Sequence, residues 1–414
     1  MGSLRAVRDG RSKRTPRVAP ATAGPVTAPP PPRPAASGSG PARAGGPELV
    51  VGKRRIPVVL PSRHDPRLKL SVVIIALQVL GQTVLDFKVS IAQILITIGV
   101  CALIDTSLTL KRQGVLAWPA SALLTGNSIA FILRASGTEH GDWWSLNGIE
   151  YFVLAALVSL VVKDLVRPGG RHRFNPSNVG IVWVLLVIGP VHVFPQYLWW
   201  GPIGPAVIAA LVVIALGAAW ILRAVRMLPM ALSFLVPFTA LIAIFAATGQ
   251  SFIAIWHEGP ISGFDYWLNI CTSPELLVFV CFMMSDPATA PKTPVARMIY
   301  GVATAVVAAA LIYFQPTEYG IKAAILASLT LVCALVPAIE AASRRLQARR
   351  EFPSETAPAQ SLPLSRRLGA GALRPASVAV VIIAVTAIVG TMSLAPNEDL
   401  YYIERGLTGP LNAQ

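Results

Sequence analysis

Two proline-containing segments carry polar side chains at the ends of long apolar runs. Because proline lacks an N–H and biases the preceding residue away from helical backbone, each segment predicts a break in a helix. The helix that follows begins with free N–H groups and a partial positive charge, which can hold a carboxylate or a phosphate. The candidate cofactor-binding residues of the two segments are Asn175, Pro176, Asn178, Gly180, Asp286, Pro287, Thr289 and Thr293.

The residues alone leave two interpretations of these segments open. In the functional interpretation, the segments are broken helices that face each other across the interface of an internal repeat, as in many secondary transporters. In the structural interpretation, Asn175 and Asp286 cap helix starts in a loop and bind nothing.

Other motifs that could carry chemistry are weak. The five histidines form no pair at the spacing of metal ligands or of a catalytic triad, so no catalytic residue and no metal site is assigned. Cys101, Cys281 and Cys333 lie inside apolar runs, and Cys271 stands just before one. Since no two cysteines form a CxxC motif, they are predicted to be small core residues.

The composition identifies the kind of chain that must position these residues. Of its 414 residues, 54% are hydrophobic and 13% are charged, yet the formal net charge is +15. So few charges exclude an ordinary water-soluble surface. Residues 1–68 hold 13 Lys and Arg against three acids, which places +10 of the +15 in this one segment. The remainder therefore predicts an integral membrane protein.

The basic segment 1–68 is predicted to be a disordered cytoplasmic tail, because residues 1–60 are rich in Pro, Gly, Ser and Ala and poor in large apolar side chains. No aromatic residues are interleaved with its arginines, so nucleic-acid binding is not expected. The arginines either bind anionic lipid headgroups, worth on the order of 1 kcal/mol each, or only fix the topology.

Eleven apolar runs approach the roughly 20 residues that cross a bilayer. The eighth run is short, which predicts either an earlier start near Tyr266 or a broken or re-entrant helix covered by protein. The runs lie at 70–87, 89–108, 115–135, 149–166, 178–198, 204–223, 228–248, 275–285, 296–314, 320–342 and 374–395.

Lys and Arg are concentrated in the loops after even-numbered runs, for example at Lys111 and Arg112, whereas the intervening loops are neutral or acidic. By the positive-inside rule this predicts a multi-pass protein with a cytoplasmic N-terminus and an extracytoplasmic C-terminus. The predicted domains after the tail are a transmembrane domain, a cytoplasmic linker, an extra transmembrane helix and an outer tail, at 69–345, 346–373, 374–395 and 396–414.

Polar side chains inside the runs are expected to face the bundle interior, because exposing them to lipid is costly. The alternative is ordinary helix–helix hydrogen bonding, at about 0.6 kcal/mol per contact. Asp105 and Asp164, near the inner ends of their runs, are expected to snorkel or to pair with cations. The interior candidates are Gln93, Thr125, Asn127 and Glu340.

A weak internal repeat links the two proline segments. Trp118-Pro119-Ala120 recurs as Leu228-Pro229-Met230 after 110 residues, and Asn175-Pro176 recurs as Asp286-Pro287 after 111. Counting the runs between these landmarks predicts parallel copies.

The same segments resemble the RnfD/NqrB family of membrane proteins, which comprises the RnfD component of Rnf electron-transport complexes and the NqrB component of sodium-pumping NADH:quinone reductases. The resemblance implies an all-α polytopic integral membrane protein, an about ten-helix two-repeat bundle like that of RnfD, with one extra C-terminal transmembrane helix here. It also implies flavin binding, and electron transport coupled to Na⁺ or H⁺ movement in a bacterial plasma membrane. The matching residues are Pro119 to Gly126, Lys163, Phe174-Asn175-Pro176, Gly180, Met283 to Thr289 and Ile299-Tyr300-Gly301.

One loop departs from the family. There, a Ser/Thr-Gly-Ala-Thr motif on an outer loop carries FMN esterified to its threonine. The corresponding loop, 190–203, contains no Ser or Thr, and Gly-Ala-Thr occurs nowhere in the chain. Covalent FMN is therefore not expected, whereas a non-covalent flavin, riboflavin or FMN, stays open.

The lost flavin loop and the Ala-, Arg- and Pro-rich composition resemble a divergent branch of the family, the UnbU-type proteins associated with enediyne biosynthesis clusters. The expected function is that of a flavin-related membrane component of an electron-transport complex. The alternatives are a small-molecule or ion transporter or channel on the same fold, and a non-catalytic accessory membrane protein of an enediyne-type pathway. The expected partners are the lipid bilayer, anionic lipids at the tail, and other electron-transport or biosynthetic subunits.

Overall fold

The computed structural model describes residues 47–51, 54–62, 65–167, 172–196 and 204–351. The first 46 residues of the predicted tail, part of the altered loop (197–203) and the predicted extra helix 374–395 lie outside the described residues. So do residues 352–373 of the predicted linker and the predicted outer tail.

Helices dominate the described residues and overlap all ten runs predicted between residues 70 and 342. The helical segment of the eighth run begins earlier, at Gly263, as one interpretation predicts, and it is broken at Ser273, as the other predicts, before it ends in a π-helix. The helices are α1 Pro66–Thr83, α2 Ile91–Gln113, α3 Ala120–Ile132, α4 Ile149–Leu165, α5 Pro176–Ile188, α6 Pro205–Val225, α7 Leu228–Ala247, α8 Gly263–Thr272, α9 Pro274–Val278, the π-helix Phe279–Met284, α10 Pro294–Ile312 and α11 Glu318–Glu351.

Six helical segments in the described part of the chain are long and apolar enough to cross a membrane, so the predicted all-α, multi-pass membrane character is confirmed. The helices α3 and α5 are apolar but have 13 residues each, which is short of the roughly 20 that a crossing needs. The six segments are Ile91–Gln113, Pro205–Val225, Leu228–Ala247, Gly263–Met284, Pro294–Ile312 and Glu318–Gln347.

Local sequence fixes where these helices begin. Four helices start with a polar cap followed by proline, which has no N–H to leave unsatisfied in the first turn and is pre-shaped for helical backbone. In each case the cap side chain accepts a hydrogen bond from a backbone N–H two or three residues on. These pairs are Asp65-Pro66 at α1, Asn175-Pro176 at α5, Ser273-Pro274 at α9 and Thr293-Pro294 at α10.

Burial separates central from peripheral helices. Within the apolar windows, 67% of Gly263–Met284 is buried but only 17% of Ile91–Gln113, so α8, α9 and the π-helix lie inside while α2 lies at the periphery. Helix α4 packs against α2 and α5, and α10 packs against α7 and α11. Two further contacts, α1 with α6 and α5 with α11, join the first five helices to the later ones.

Short strands lie between the helices, and the first two correct the sequence analysis. Residues 48–51 and 54–59 form the antiparallel pair β1–β2, and β2 pairs in parallel with β3. The sequence instead predicts disorder from residue 1 through residue 68. The β-branched residues of this segment and the backbone of the α2–α3 loop supply the pairing. The strands are β1 Glu48–Val51, β2 Arg54–Val59, β3 Leu116–Ala117, β4 Leu133–Ala135, β5 Val193–Pro195, β6 Ser251–Phe252 and β7 Ile261–Ser262.

Contacts between loops define the two ends of the bundle. At one end, β4 pairs with β5, and Ile253 bridges Thr317, so the loops after α3, α5, α7 and α10 are brought together in pairs. At the other end, Arg112 in the last turn of α2 pairs with Asp164 in the last turn of α4. This grouping follows the predicted alternation of neutral and basic loops. Helix α11 also continues to Glu351, through the first residues of the predicted linker.

Candidate functional site

Asn175 joins the two predicted proline segments. Its Oδ1 accepts a hydrogen bond from the Asn178 N–H at 3.2 Å, which caps α5, and its Nδ2 donates to the Met283 carbonyl at 3.2 Å. Met283 lies near the end of the π-helix, directly before Asp286-Pro287. The two segments therefore meet in space, although they are more than 100 residues apart in the chain.

Asn178 ties α5 to α11 from a fully buried position. Its Nδ2 donates to the Leu326 carbonyl and to Thr330 Oγ1, both at 2.9 Å. Because a buried amide without partners costs roughly 1–3 kcal/mol, these bonds favour one alignment of the two helices. We call Asn175 and Asn178, with the carbonyls of Met283 and Leu326, the asparagine clamp.

The other predicted residues have structural roles in the described chain. Asp286 Oδ1 accepts from the Ala288 N–H at 2.9 Å, and Thr289 is a buried member of this turn, which Pro287 enters. Thr293 caps α10 and contacts Ser343 Oγ at 3.0 Å. Thr293 therefore caps a helix, as the structural interpretation expects in this segment, whereas Asp286 bonds within a turn and caps no helix of the described chain, contrary to that interpretation.

Gly180 lets α4 and α5 approach closely. A Cβ at this position would lie 2.1 Å from Ser159 Oγ and 2.2 Å from the Ala155 carbonyl oxygen. Gly180 is therefore a packing residue here, and Pro176 begins the helix that carries it.

The largest concentration of buried charge lies at the start of α11. Lys322 Nζ is 2.6 Å from Glu318 Oε1 and 3.1 Å from Glu275 Oε1, and it donates to the Gln196 carbonyl at 2.9 Å. Glu318 is fully buried and Lys322 is 3% exposed. We call Lys322, Glu318, Glu275 and Gln196 the lysine clamp. It links the loop after α5 to α9 and α11.

Two further side chains complete this charged group. Trp256 Nε1 donates to Glu318 Oε2 at 3.0 Å. Arg134 is 2% exposed, lies 5.4 Å from the centre of the Phe194 ring, and attracts Glu318 electrostatically. Two cations and two carboxylates therefore balance, which offsets the cost of burying Lys322, Arg134 and Glu318, while the Glu275 side chain stays 21% exposed.

A cavity lies between the two clamps. Its polar end is formed by Gln196, Glu275 and Lys322, and its apolar wall includes Phe131, Phe279, Met283 and Leu326. Its volume is about 40 Å³, enough for about three water molecules at roughly 10–15 Å³ each.

The cavity connects the predicted residues to the charged group. Side chains of Met283 and Leu326 line the wall, and the carbonyls of the same residues accept bonds from Asn175 and Asn178. Gln196 is 1% exposed, and its side-chain amide has no hydrogen-bond partner among the described residues. Since such an amide is costly to leave unsatisfied, the cavity is suited to water or to a small polar species.

The sequence analysis missed the lysine clamp because its charges lie at or just outside the ends of predicted runs. Glu275 begins the eighth run, Lys322 is the third residue of the tenth, and Glu318 precedes that run. The spacing of four residues between Glu318 and Lys322, typical of an ion pair on one helical face, is the signal that could have identified it.

The predicted interior residues divide into two groups. Gln93, Thr125 and Asn127 are buried as expected, and Gln93 completes a capping box with Ser90 at the start of α2. Glu340 is only half-buried and accepts from the Lys292 N–H at 3.3 Å. All four cysteines are buried and free, as predicted for core residues.

Ionisable groups also pair at the opposite end of the bundle. Asp105 lies 2.9 Å from Lys163 Nζ, and Asp164 pairs with Arg112. His172 contacts the Lys163 carbonyl at 3.3 Å. Burial and the positive charges of Lys163 and Arg167 lower the pKa of His172 to about 4.

The sequence matches no protein-family model, and no curated protein matches it.

Replacing the central cation should destabilise the protein. In Lys322→Met the carboxylates of Glu318 and Glu275 lose their partner, and breaking a buried ion pair costs roughly 3–5 kcal/mol. Thermal unfolding of the purified protein in detergent, followed by tryptophan fluorescence, should show a large drop in Tm. Adding Glu318→Gln and Glu275→Gln should recover part of it. The control Arg112→Gln, which removes an exposed ion pair, should change Tm little. Equal losses in the two single variants would contradict a special role for the buried group.

Acid should destabilise the protein through His172. Its folded-state pKa of about 4 lies below the ordinary 6.5, so the unfolded chain binds a proton first as the pH falls. Stability is therefore constant above about pH 6.5 and decreases between 6.5 and 4, by at most about 3 kcal/mol. Melting curves recorded across this pH range should show a smaller loss of stability for His172→Gln than for the wild type. The exposed control His257→Gln should lose as much stability as the wild type does. A wild-type curve that His172→Gln leaves unaltered would refute the assignment.

Proposed function

We propose that the chain is an integral component of a bacterial plasma membrane that moves a small cation, Na⁺ or H⁺, on a two-repeat bundle of the RnfD/NqrB kind. The observation that carries the proposal is the cavity between the lysine clamp and the asparagine clamp. Charged groups inside a membrane bundle are costly and commonly mark ion pathways.

The packing of the helices supports two inverted repeats, α1–α5 and α6–α11. Val73 of α1 packs on Gly217 of α6 while Lys69 lies over Trp220, so these two helices run antiparallel. Asn178 bonds Leu326 while Tyr319 bonds the Leu185 carbonyl, so α5 and α11 also run antiparallel. Equivalent helices of inverted repeats must have opposite directions.

This equivalence differs from the one suggested by the proline landmarks. It pairs Pro176 at the start of α5 with Glu318 at the start of α11, a spacing of 142 residues (318 − 176) rather than 110 or 111. If the short helices α3 and α5 are counted as crossings, and α8, α9 and the π-helix as one, each half has five and the proposed copies are inverted, whereas the proline landmarks predict parallel copies. The basic loops after α2 and α4 then face the cytoplasm.

The lysine clamp provides a place for a cation. Glu275 and the Gln196 carbonyl offer oxygen ligands, and the Lys322 ammonium occupies the position between them. An incoming Na⁺ or a proton on Glu275 would compete with Lys322 for these oxygens. Releasing Lys322 would then free the α5 loop from α9 and α11, opening the cavity at this end while the asparagine clamp keeps the other end closed.

Transport should depend on Glu275. The full chain, reconstituted in liposomes, should carry ²²Na⁺ or acidify a trapped pH-sensitive dye faster than protein-free vesicles do. Glu275→Gln removes the carboxylate that binds the cation and should reduce this flux at least tenfold.

The control is Glu139→Gln, which removes an exposed carboxylate paired with Lys88 and should leave flux unchanged. Gel filtration of both variants checks that they are folded. Wild-type flux no faster than in protein-free vesicles, for either ion, would overturn the proposal and favour the non-catalytic accessory role.

A non-covalent flavin is the second proposal. Its support is the contact between Asn175 and Met283, which brings together the two motifs that carry the family resemblance. We derive no electron-transfer step from this contact. We also propose the UnbU-type assignment, with its link to enediyne pathways and their biosynthetic subunits.

Absorbance decides the flavin proposal. Protein extracted in mild detergent should absorb between 350 and 500 nm in proportion to its concentration, and denaturation should release the chromophore. A colourless preparation would reject flavin binding. A fluorescent band that survives denaturing electrophoresis would instead contradict the argument against covalent FMN.

A further inference from the structure

A continuous apolar stripe runs along the outer face of α6. Its residues recur every four positions, so they lie on one side of the helix. They are also largely exposed, as expected for side chains that contact lipid tails rather than protein. The stripe consists of Ile208, Val212, Leu216 and Trp220, each between 48% and 68% exposed.

Three cations lie at the end of this stripe. Lys69 Nζ of α1 is 5.1 Å from the centre of the Trp220 ring. Arg223 follows Trp220 by three residues and so lies on the same face of α6, and Arg226 is the exposed C-cap of that helix. None of the three forms an ion pair among the described residues. The nearby carboxylate at the start of α1, that of Asp65, is bonded to Arg67 instead.

The start of α7 adds a weaker positive potential. Leu228 and Pro229 follow Arg226 almost directly, and Met227 supplies no side-chain cap. Pro229 has no N–H, and the N–H groups of Met230 and Ala231 donate to the Met227 carbonyl, so this 20-residue helix adds only the weak positive potential of its dipole beside Arg226.

We infer that the α1–α6 seam is a binding site for an anionic phospholipid, with the phosphate held by Lys69, Arg223 and Arg226 and an acyl chain along the stripe. Three observations support this occupant. The cations lack acidic partners in the described chain, Trp220 is the kind of side chain that lies at a headgroup boundary, and the apolar stripe begins directly below it. A free phosphate would use the cations but not the stripe.

The lipid would have a defined consequence for the fold. Helices α1 and α6 meet across a glycine, where a Cβ at Gly217 would lie 2.8 Å from Val73 Cγ1. A headgroup bound by Lys69 on one helix and Arg223 on the other would hold this seam together. Because three cations exceed the charge of one phosphate, a lipid with two phosphates, diphosphatidylglycerol, should bind more tightly than phosphatidylglycerol.

The test measures lipid binding to the full chain in detergent by native mass spectrometry and by the shift in Tm. Diphosphatidylglycerol should be retained as a discrete adduct and raise Tm, whereas phosphatidylcholine should do neither. The triple variant Lys69→Gln, Arg223→Gln, Arg226→Gln should bind roughly a hundredfold more weakly, at roughly fivefold per cation.

The matched control is Lys111→Gln, Arg344→Gln, Arg345→Gln, which removes the same charge from exposed positions elsewhere and should bind like the wild type. The single variant Arg223→Gln, at an exposed position, should lose roughly fivefold and keeps the test valid if the triple variant does not fold. Equal loss in the two triple variants, or a Tm increase by inorganic phosphate as large as that by the lipid, would overturn the proposal.

Discussion

The backbone groups freed where helices are interrupted must find partners within the protein, because an apolar bundle offers them no water. The run between Gly263 and Met284 is interrupted at Ser273 and loosens into a π-helix. Ser273 Oγ satisfies the new helix start, and the Met283 carbonyl accepts bonds both from the Ser285 N–H in its own turn and from Asn175 Nδ2, in another part of the chain. The Asn175 bond fastens α5 to the end of the π-helix, beside the cavity wall that Met283 lines.

The two clamps solve the same problem with different chemistry. The asparagine clamp uses neutral amides, whose net contribution is roughly 0.5–1.5 kcal/mol per bond. The lysine clamp uses full charges, which remain buried only because the carboxylates of Glu275 and Glu318 balance the Lys322 and Arg134 cations. Both clamps join α5 or its following loop to the second half of the chain. The halves are thus held together by polar contacts at two levels, with a small cavity between them.

Sequence patterns predicted the helices well and the site only in part. The apolar runs, the cap at Asn175 and the break near the eighth run follow from local chemistry, which the sequence contains directly. The roles of Asn178 and Lys322 depend on partners 148 and 126 residues away, and no local pattern specifies such partners. The strands at 48–59 were missed for a related reason, since β2 is completed by the backbone of a distant loop.

The difference between the clamps also determines which one a cation can open. Breaking the ion pairs of Lys322 without replacement would leave two carboxylates unpaired, at roughly 3–5 kcal/mol. A cation bound at Glu275 supplies the missing positive charge and removes most of that cost. The asparagine clamp carries no net charge, so opening it leaves no carboxylate that needs a replacement cation, although Asn178 Oδ1 is a buried acceptor without a hydrogen-bond partner among the described residues. In the proposed transport, ion binding would therefore lower the barrier at the lysine clamp, because this is the clamp whose opening needs a replacement positive charge.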